Sequence, residues 1–361
     1  MRSEEFDMEM MDRFAKVCMI GLLALVLASC GQSSSDELVV YSGRSPALVE
    51  QLVADFKKQS DIDIQVKYGN DAELLAVLNE EDQQSPADIY WANTTGALAT
   101  ASKQDLLKTL PDSLLNKPEN FHSSSGKWVP VTVRYRVLAY NTSEVDSTDL
   151  PTSVMDVPQM EKYKGKVGWT PTYSSFYDFI TTMRLTKGED VTRQWLNQMQ
   201  QLNPKSYSSN TPMVQAIAAG EIDIALTNHY YILRLKYGGG EGEFEDETHY
   251  GEKGPQANAP IATYHFKEGN IGNLALVTGA SELKTSTDSE AAQKFLSFLL
   301  SKQAQSYAAE SVHEYPVIKD VKLPKYMLDV DKAFELSPEY DYEQLQKLEG
   351  TLNLLREAGL I

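Results

Sequence analysis

Glu221–Lys236 reads EIDIALTNHYYILRLK, and two periodicities meet inside it. Ile222, Ile224 and Leu226 alternate with Asp223 and Ala225, the period of a short strand. The alternation breaks at Thr227-Asn228. From Tyr230 onward Tyr231, Ile232, Leu233 and Leu235 follow helical spacing. A strand that runs into a helix puts the junction at the carboxyl end of a sheet, where open α/β folds take their ligands. Asn228, His229, Tyr230 and Tyr231 occupy that junction. Two adjacent phenols there offer hard anionic oxygens to a strongly Lewis-acidic ion. The alternative is that one ring is buried and the other covers a surface.

The chain before this stretch repeats the strand–helix rhythm. Glu37–Ser42 reads as a strand, Pro46–Lys58 as an amphipathic helix, Ile62–Val66 as a strand and Asp71–Glu80 as a helix. Ser45 suits the first helix's cap and Pro46 its first turn. Ala87–Trp91 is a third strand, and Leu106–Leu115 continues a helical region. Val131–Tyr140, VTVRYRVLAY, is long and apolar enough to run between two domains. Helices are expected over Phe176–Leu185, Val191–Met199 and Thr211–Ala219, the last with Thr211 as cap and Pro212 as first residue. Gly238–Gly254 is an acidic, glycine-rich loop that belongs on the surface. Ala262–Phe266 and Leu274–Val277 return as strands, the second crossing back between domains. Ser289–Leu299, Lys302–Ala309 and part of Ser337–Gly359 read as helices. Strands alternating with helices over 361 residues imply a mostly parallel sheet and two domains.

The chain's net charge is −18, from 33 basic and 51 acidic residues. Residues 1–30 hold three basic and five acidic residues, which leaves 30 against 46, or −16. That balance argues against nucleic acid as a partner, but not against a cation. Both cysteines, Cys18 and Cys30, lie near the start, so the body has no thiolate ligand or cysteine nucleophile. Val17–Ser29 is an apolar run after Arg13 and Lys16, short for a membrane span and suited to a signal peptide. It ends in Leu27-Ala28-Ser29-Cys30, which resembles a bacterial lipobox. That resemblance implies cleavage before Cys30 and lipid on its thiol. The acidic stretch before Met11 fits no signal-peptide start and points to translation beginning at Met11.

The whole pattern resembles the ferric-ion-binding proteins, substrate-binding lipoproteins of bacterial iron ABC transporters. The resemblance spans Glu37–Ile361 and rests on the order and spacing of several short anchors. These are Val40-Tyr41-Ser42-Gly43-Arg44, Ala87-Asp88-Ile89-Tyr90-Trp91-Ala92, Arg134-Tyr135-Arg136-Val137, Gly165-Lys166-Val167-Gly168-Trp169, Asn210-Thr211, Asn228-His229-Tyr230-Tyr231 and Glu314-Tyr315-Pro316. It implies an α/β, two-domain, periplasmic binding protein-like type II fold. A hinged cleft would lie between two mixed or parallel sheets joined by two crossing strands. The implied division is a signal peptide at 1–29, a lipidated Cys and tether at 30–36, and one lobe from 37–133 plus 265–310. The second lobe is 134–264, and 311–361 packs on both.

The resemblance also implies a site. Fe(III) would be held by tyrosinate oxygens of Tyr230 and Tyr231, with Tyr173 as a third. Phenols titrate near 10 in water, and a bound trivalent ion drives them to phenolate. Family members add a His or Tyr after the first strand and a carboxylate after the third. This chain has Ser45 and Asn93 at those places, so water or an anion such as carbonate, phosphate or citrate would complete the shell. Thr172, Ser174 and Ser175 enter a helix whose N–H groups favour an anion, as do Asn210 and Thr211, with Asn228 beside the pair. Arg134 and Arg136 share one strand face, and each is either an anion contact or an interdomain salt bridge. Arg44 has the same two readings. His229 is expected to pack or support rather than ligate. Asp88 is expected to be structural, and Trp91 and Trp169 either wall the cleft or fill core.

The expected partners are an ABC permease and iron or an iron chelate, with membrane contact through the lipid only and a monomeric body. A small organic or anionic solute is the alternative cargo. The sequence has no Gly-x-Ser-x-Gly elbow, zinc motif or P-loop lysine, so an enzyme is not expected.

Overall fold

The long apolar run that ends at Tyr140 forms a 13-residue strand, Val129–Asn141, buried along nearly all its length. A strand apolar on both faces has to be covered on both, and this one lies at the centre of the sheet. The computed structural model describes residues 37–239 and 256–361. Cys30, the signal segment and residues 240–254 of the acidic loop lie outside the described residues.

In chain order the strands are β1 (Glu37–Ser42), β2 (Asp63–Tyr68), β3 (Ile89–Ala92), β4 (Val129–Asn141) and β5 (Val167–Trp169). They continue with β6 (Lys205–Ser206), β7 (Ile224–Asn228), β8 (Ile261–Tyr264), β9 (Ala275–Glu282) and β10 (Tyr315–Pro316). The helices begin with α1 (Pro46–Ser60), α2 (Asp71–Glu81), α3 (Thr95–Lys103), α4 (Asp112–Leu115), α5 (Ser174–Lys187) and α6 (Glu189–Gln201). Then come α7 (Asn210–Ala218), α8 (His229–Tyr237), α9 (Ser289–Leu299), α10 (Lys302–Ser311), α11 (Val330–Leu336) and α12 (Leu348–Glu357).

The strand order is β2-β1-β3-β9-β4-β7-β5-β6, with β8 and β10 also paired to β4. The first half of β4, to Tyr135, runs antiparallel to β9. From Arg136 its partner is β7, and from Leu138 also β8. The pairing therefore changes hands between Tyr135 and Arg136. Parallel pairs, β1 with β3 and β5 with β7 and β6, lie out from this antiparallel centre. The sheet is mixed because the strands that cross between its two parts run against their neighbours.

Three apolar clusters follow the same division. One joins β1, β3 and β9 to α1, α9 and α10, with Phe56 edge-on to Phe295 at 5.1 Å. Another packs α5 and α6 on β5, with Phe179 edge-on to Trp195 at 5.6 Å. The third gathers Met213, Ile217, Tyr230, Tyr231 and Leu235 between α7, α8 and β7. Each fully buried large side chain contributes about 1.5–3 kcal/mol. Trp91 and Trp169 both belong to core.

Several sequence expectations shift. Leu106–Leu115 is not one helix: Asp105 turns the chain at φ +61°, Leu107 bridges Leu283, and Pro111 precedes the four-residue α4. Ser45 stands at the start of α1, but its hydroxyl does not bond the first turn. Ser209, not Thr211, stands before α7. The link between β8 and β9 carries a 3-10 turn at Ile271–Asn273. No helix among the described residues is long and apolar enough to cross a membrane.

Candidate metal centre

Alternation along β7 points Ile224 and Leu226 into core and delivers Asn228 in extended backbone at the strand end. The next residue opens α8, so Tyr230 and Tyr231 occupy its first turn. Both are 5% exposed, and their rings lie 4.1 Å apart at a 32° tilt. Tyr173 stands at the N-cap of α5, and its hydroxyl is 2.9 Å from that of Tyr231. Arg234, one turn along α8, lies over the Tyr230 ring at 4.4 Å and the Tyr231 ring at 5.9 Å. Burial pushes the Tyr231 phenol well above its ordinary value, and the neighbouring Tyr230 and Tyr173 push the same way. The Tyr231 phenol therefore keeps its proton at neutral pH.

Register places two arginines beside the phenols. Arg136 pairs with Asn228 across the β4–β7 ladder. Its guanidinium donates to Ser175 Oγ at 3.2 Å, Asn228 Oδ1 at 3.3 Å and the Leu226 carbonyl at 3.2 Å. Asn210 donates to the same Ser175 oxygen at 3.4 Å. Burial pulls Arg136 down to about 10, against the nearby Asp178 carboxylate and the phenols. Thr170 Oγ1, Asn210 Oδ1, Thr227 Oγ1 and Asn228 Nδ2 are buried with no hydrogen-bond partner among the described residues. Leaving such groups unmet costs roughly 1–3 kcal/mol each.

Arg134 and Arg44 converge on Asn93. Arg44 donates to Asn93 Oδ1 at 2.5 Å, and Arg134 to the same atom at 3.0 Å and to the Asn93 carbonyl at 2.5 Å. Asn93 is oriented in turn by Asp71, which accepts its N–H at 2.9 Å and the Thr94 hydroxyl at 2.8 Å. Gly43 makes this approach possible, since a Cβ there would overlap Asp71 Oδ1 and lie 3.1 Å from the Asn93 nitrogen. Arg44 also pairs with Glu314 at 2.6 Å, with both side chains at most 2% exposed. Burial opposes ionisation of Glu314, but Arg44, Arg134 and the Thr132 hydroxyl together bring it down to about 2. Burial disfavours the charge on Arg134 too, yet Glu314 and the three phenols leave it raised. Arg44 thus has a carboxylate partner, whereas Arg134 and Arg136 bond to amide, hydroxyl and carbonyl groups.

Of the remaining candidates, Ser45 Oγ is buried with no hydrogen-bond partner among the described residues. Thr172 and Ser174 are exposed, while Thr211 is buried in the first turn of α7. His229 is not available as a ligand: Nδ1 accepts the Tyr135 N–H at 3.1 Å and Nε2 donates to the His313 carbonyl at 2.8 Å. Burial pulls it down to about 3. Asp88 accepts the Val39 N–H at 2.9 Å, a structural contact as expected. Among the described residues no group of three or more His, Cys, Asp and Glu side chains is placed to hold a metal ion. The phenols are the hard donors that converge.

Sequence reasoning missed Asp71, Asp178, Glu314 and Arg234. Arg234 was findable, because it follows Tyr230 by four residues and Tyr231 by three on one helix. Asp178 follows Ser175 by three on α5, and burial raises it to about 7 against the pull of Arg134 and Arg136. Asp71 and Glu314 reach the site only through tertiary packing.

The arrangement is that of a binding protein, with polar groups gathered from β3, β4, β7, α5, α7 and α8 around a phenol cluster. Residues 51–335 match the family described as bacterial extracellular solute-binding protein, and the chain belongs to that family. Among its relatives is the major ferric iron-binding protein of Neisseria meningitidis serogroup B, 28% identical over 342 residues, covering 94% of this chain and 97% of the relative. Iron uptake protein A2 of Synechocystis is 30% identical over 310 residues, covering 84% of this chain and 85% of the relative. The crystal structure of iron-bound HitA from Pseudomonas aeruginosa superposes with a TM-score of 0.77 at 28% identity, covering 90% of this chain and 99% of HitA. These relatives are named for binding or taking up iron, not for a reaction.

Proposed function

We propose that this chain captures Fe(III) through the phenolate oxygens of Tyr230, Tyr231 and Tyr173, and delivers it to an ABC permease. The observation that carries this is the 2.9 Å approach of the Tyr173 and Tyr231 hydroxyls beside the Tyr230 ring. Three phenolates neutralise a trivalent cation, and hard charged oxygens suit it. The iron-binding relatives support the same cargo. Among the described residues Arg134 and Arg136 have no carboxylate within hydrogen-bonding distance, which favours an anion beside the iron. Carbonate, phosphate and citrate all match the donor set of Arg136, Ser175, Asn210 and Asn228. Ser45 and Asn93 would contribute at most neutral contacts.

The two lobes would be 37–133 plus 265–310 and 134–264, hinged where β4 changes partners, with 311–361 packed on both. A signal peptide ending at Ser29 and lipid on Cys30 would tether a monomeric body to the membrane outside the cytoplasm.

The test is a visible titration of the metal-free body with Fe(III)-nitrilotriacetate, repeated on Tyr230→Phe, Tyr231→Phe and Tyr173→Phe. A saturable tyrosinate-to-iron band at about one iron per chain, lost or shifted in the variants, is the expected result. No band and no thermal stabilisation by iron would refute the ferric reading and turn the search to small organic anions.

A further inference from the structure

The helix that carries the tyrosine pair is held at both ends by a single residue of a distant segment. α8 has nine residues, too short to be stable by itself, and the two phenols sit in its first turn. Its first residue, His229, donates from Nε2 to the His313 carbonyl at 2.8 Å. Its last turn ends at Gly238, whose carbonyl accepts from His313 Nε2 at 2.7 Å. The backbone of His313 thus holds one end of α8 and its side chain holds the other.

The hydrogen bonds define both tautomers. The Tyr135 N–H can only donate, so His229 Nδ1 accepts and Nε2 carries the proton. The Gly238 carbonyl can only accept, so His313 Nε2 carries the proton and Nδ1 accepts from the Tyr326 hydroxyl at 3.2 Å. Tyr326 in turn stacks on Tyr237 of α8 at 3.9 Å and 8°. The fit is close. His313 adopts φ +58°, a left-handed backbone that costs a side-chain-bearing residue energy. Gly239, at φ +82°, passes so near the end of α10 that a Cβ would overlap the Ser311 carbonyl.

This clamp joins parts that the site needs in register. Tyr135, bonded to His229, is the last β4 residue paired with β9 before β7 takes over. Glu314, the neighbour of His313, holds Arg44, which binds Asn93. We propose that His229 and His313 are positioning residues that clamp the tyrosine helix to the β4 crossing and to the Arg44–Glu314 pair, and thereby set where Tyr230 and Tyr231 present their oxygens. The proposal rests on the ferric reading. A coordination shell tolerates only about half an ångström of misplacement, so loosening the first turn of α8 should weaken the shell without abolishing the fold.

Three variants test it. His313→Gly keeps the carbonyl and suits the left-handed backbone, so it removes only the side-chain grip. His229→Leu removes both bonds at the other end, and His229→Gln restores one donor and one acceptor. Two readouts are taken: hydrogen exchange of amides 230–237 in the metal-free protein, and iron release to excess citrate followed by the tyrosinate band. The expected result is at least tenfold faster exchange across α8 with α6 unchanged, at least tenfold faster release and a shifted band. His229→Gln should recover part of each. Exchange unchanged in His313→Gly and His229→Leu would overturn the clamp. So would a wild-type band with unaltered release in both. If wild-type protein shows no iron band, the ferric reading fails, and the exchange measurement alone decides whether His313 grips α8.

Discussion

Replacing Glu314 by Gln should destabilise the protein more than any exposed charge change, because it strands Arg44. The pair is 2.6 Å apart, with side chains 2% and 1% exposed. Removing one partner of a buried ion pair costs roughly 3–5 kcal/mol, as the other charge stays buried. The acidity of Glu314 leads to a similar figure. Its fall from the ordinary 4.5 to about 2 corresponds to roughly 3 kcal/mol at neutral pH. For a chain of 361 residues the unfolding entropy is on the order of 0.7 kcal/mol/K, so the melting temperature should drop by about 4–7 °C. The pH dependence carries the sign. A carboxyl held below its ordinary value stabilises fully above that value and loses the contribution as pH falls towards 2. The gap between wild type and Glu314→Gln should therefore be widest near pH 7 and close between pH 4.5 and 2. Urea unfolding at pH 7, 5 and 3 measures it. A gap below about 1 kcal/mol at pH 7, or one that stays constant down to pH 3, would refute the reasoning. Replacing both residues by Met should recover most of the loss, since a well-packed apolar pair is often as stable as a buried ionic one.

Asp178 should behave in the opposite sense. Burial raises it to about 7, so the folded metal-free protein holds an extra proton and loses stability as pH rises from about 4 to 7. Asp178→Asn should flatten that slope and melt higher than wild type at pH 8, and a lower melting point there would contradict it. Gly43→Ala should cost about 1–3 kcal/mol by pushing Asp71 away from Asn93. It should also weaken iron binding, and a fully retained affinity would separate the Asp71–Asn93 contact from the site. Iron binding should release about one proton per phenolate formed, so the apparent affinity should climb steeply between pH 5 and 8. A pH-independent affinity would show that phenolates are not the ligands.

Much of the candidate site's placement in the fold was legible because its residues cluster at strand–helix junctions. Apolar alternation ending at Asn228, followed by helical spacing, placed Tyr230 and Tyr231 in a first turn, and the same rhythm placed Tyr173 before α5. Alternation along Arg134-Tyr135-Arg136 put both arginines on one face. What lay on them was not legible: whether an arginine meets a carboxylate or an amide depends on which loop packs opposite, and Glu314 comes from 270 positions beyond Arg44. His229 and His313 have no local pattern that reveals their joint hold on α8. Caps shifted by a residue or two, as at Ser209, because tertiary packing chooses among adjacent polar residues that all serve as helix starts.

Local periodicity by itself determined the α/β class, the long central strand and the tyrosine-bearing junction, because period and turn chemistry act over a few residues. Only the tertiary structure decided that β4 changes partners between Tyr135 and Arg136, that Arg44 pairs with Glu314, and that Tyr173 meets Tyr231. Those contacts join segments separated by tens to hundreds of residues. Such pairings arise from burial and the need to satisfy buried polar groups, which sequence neighbours do not encode.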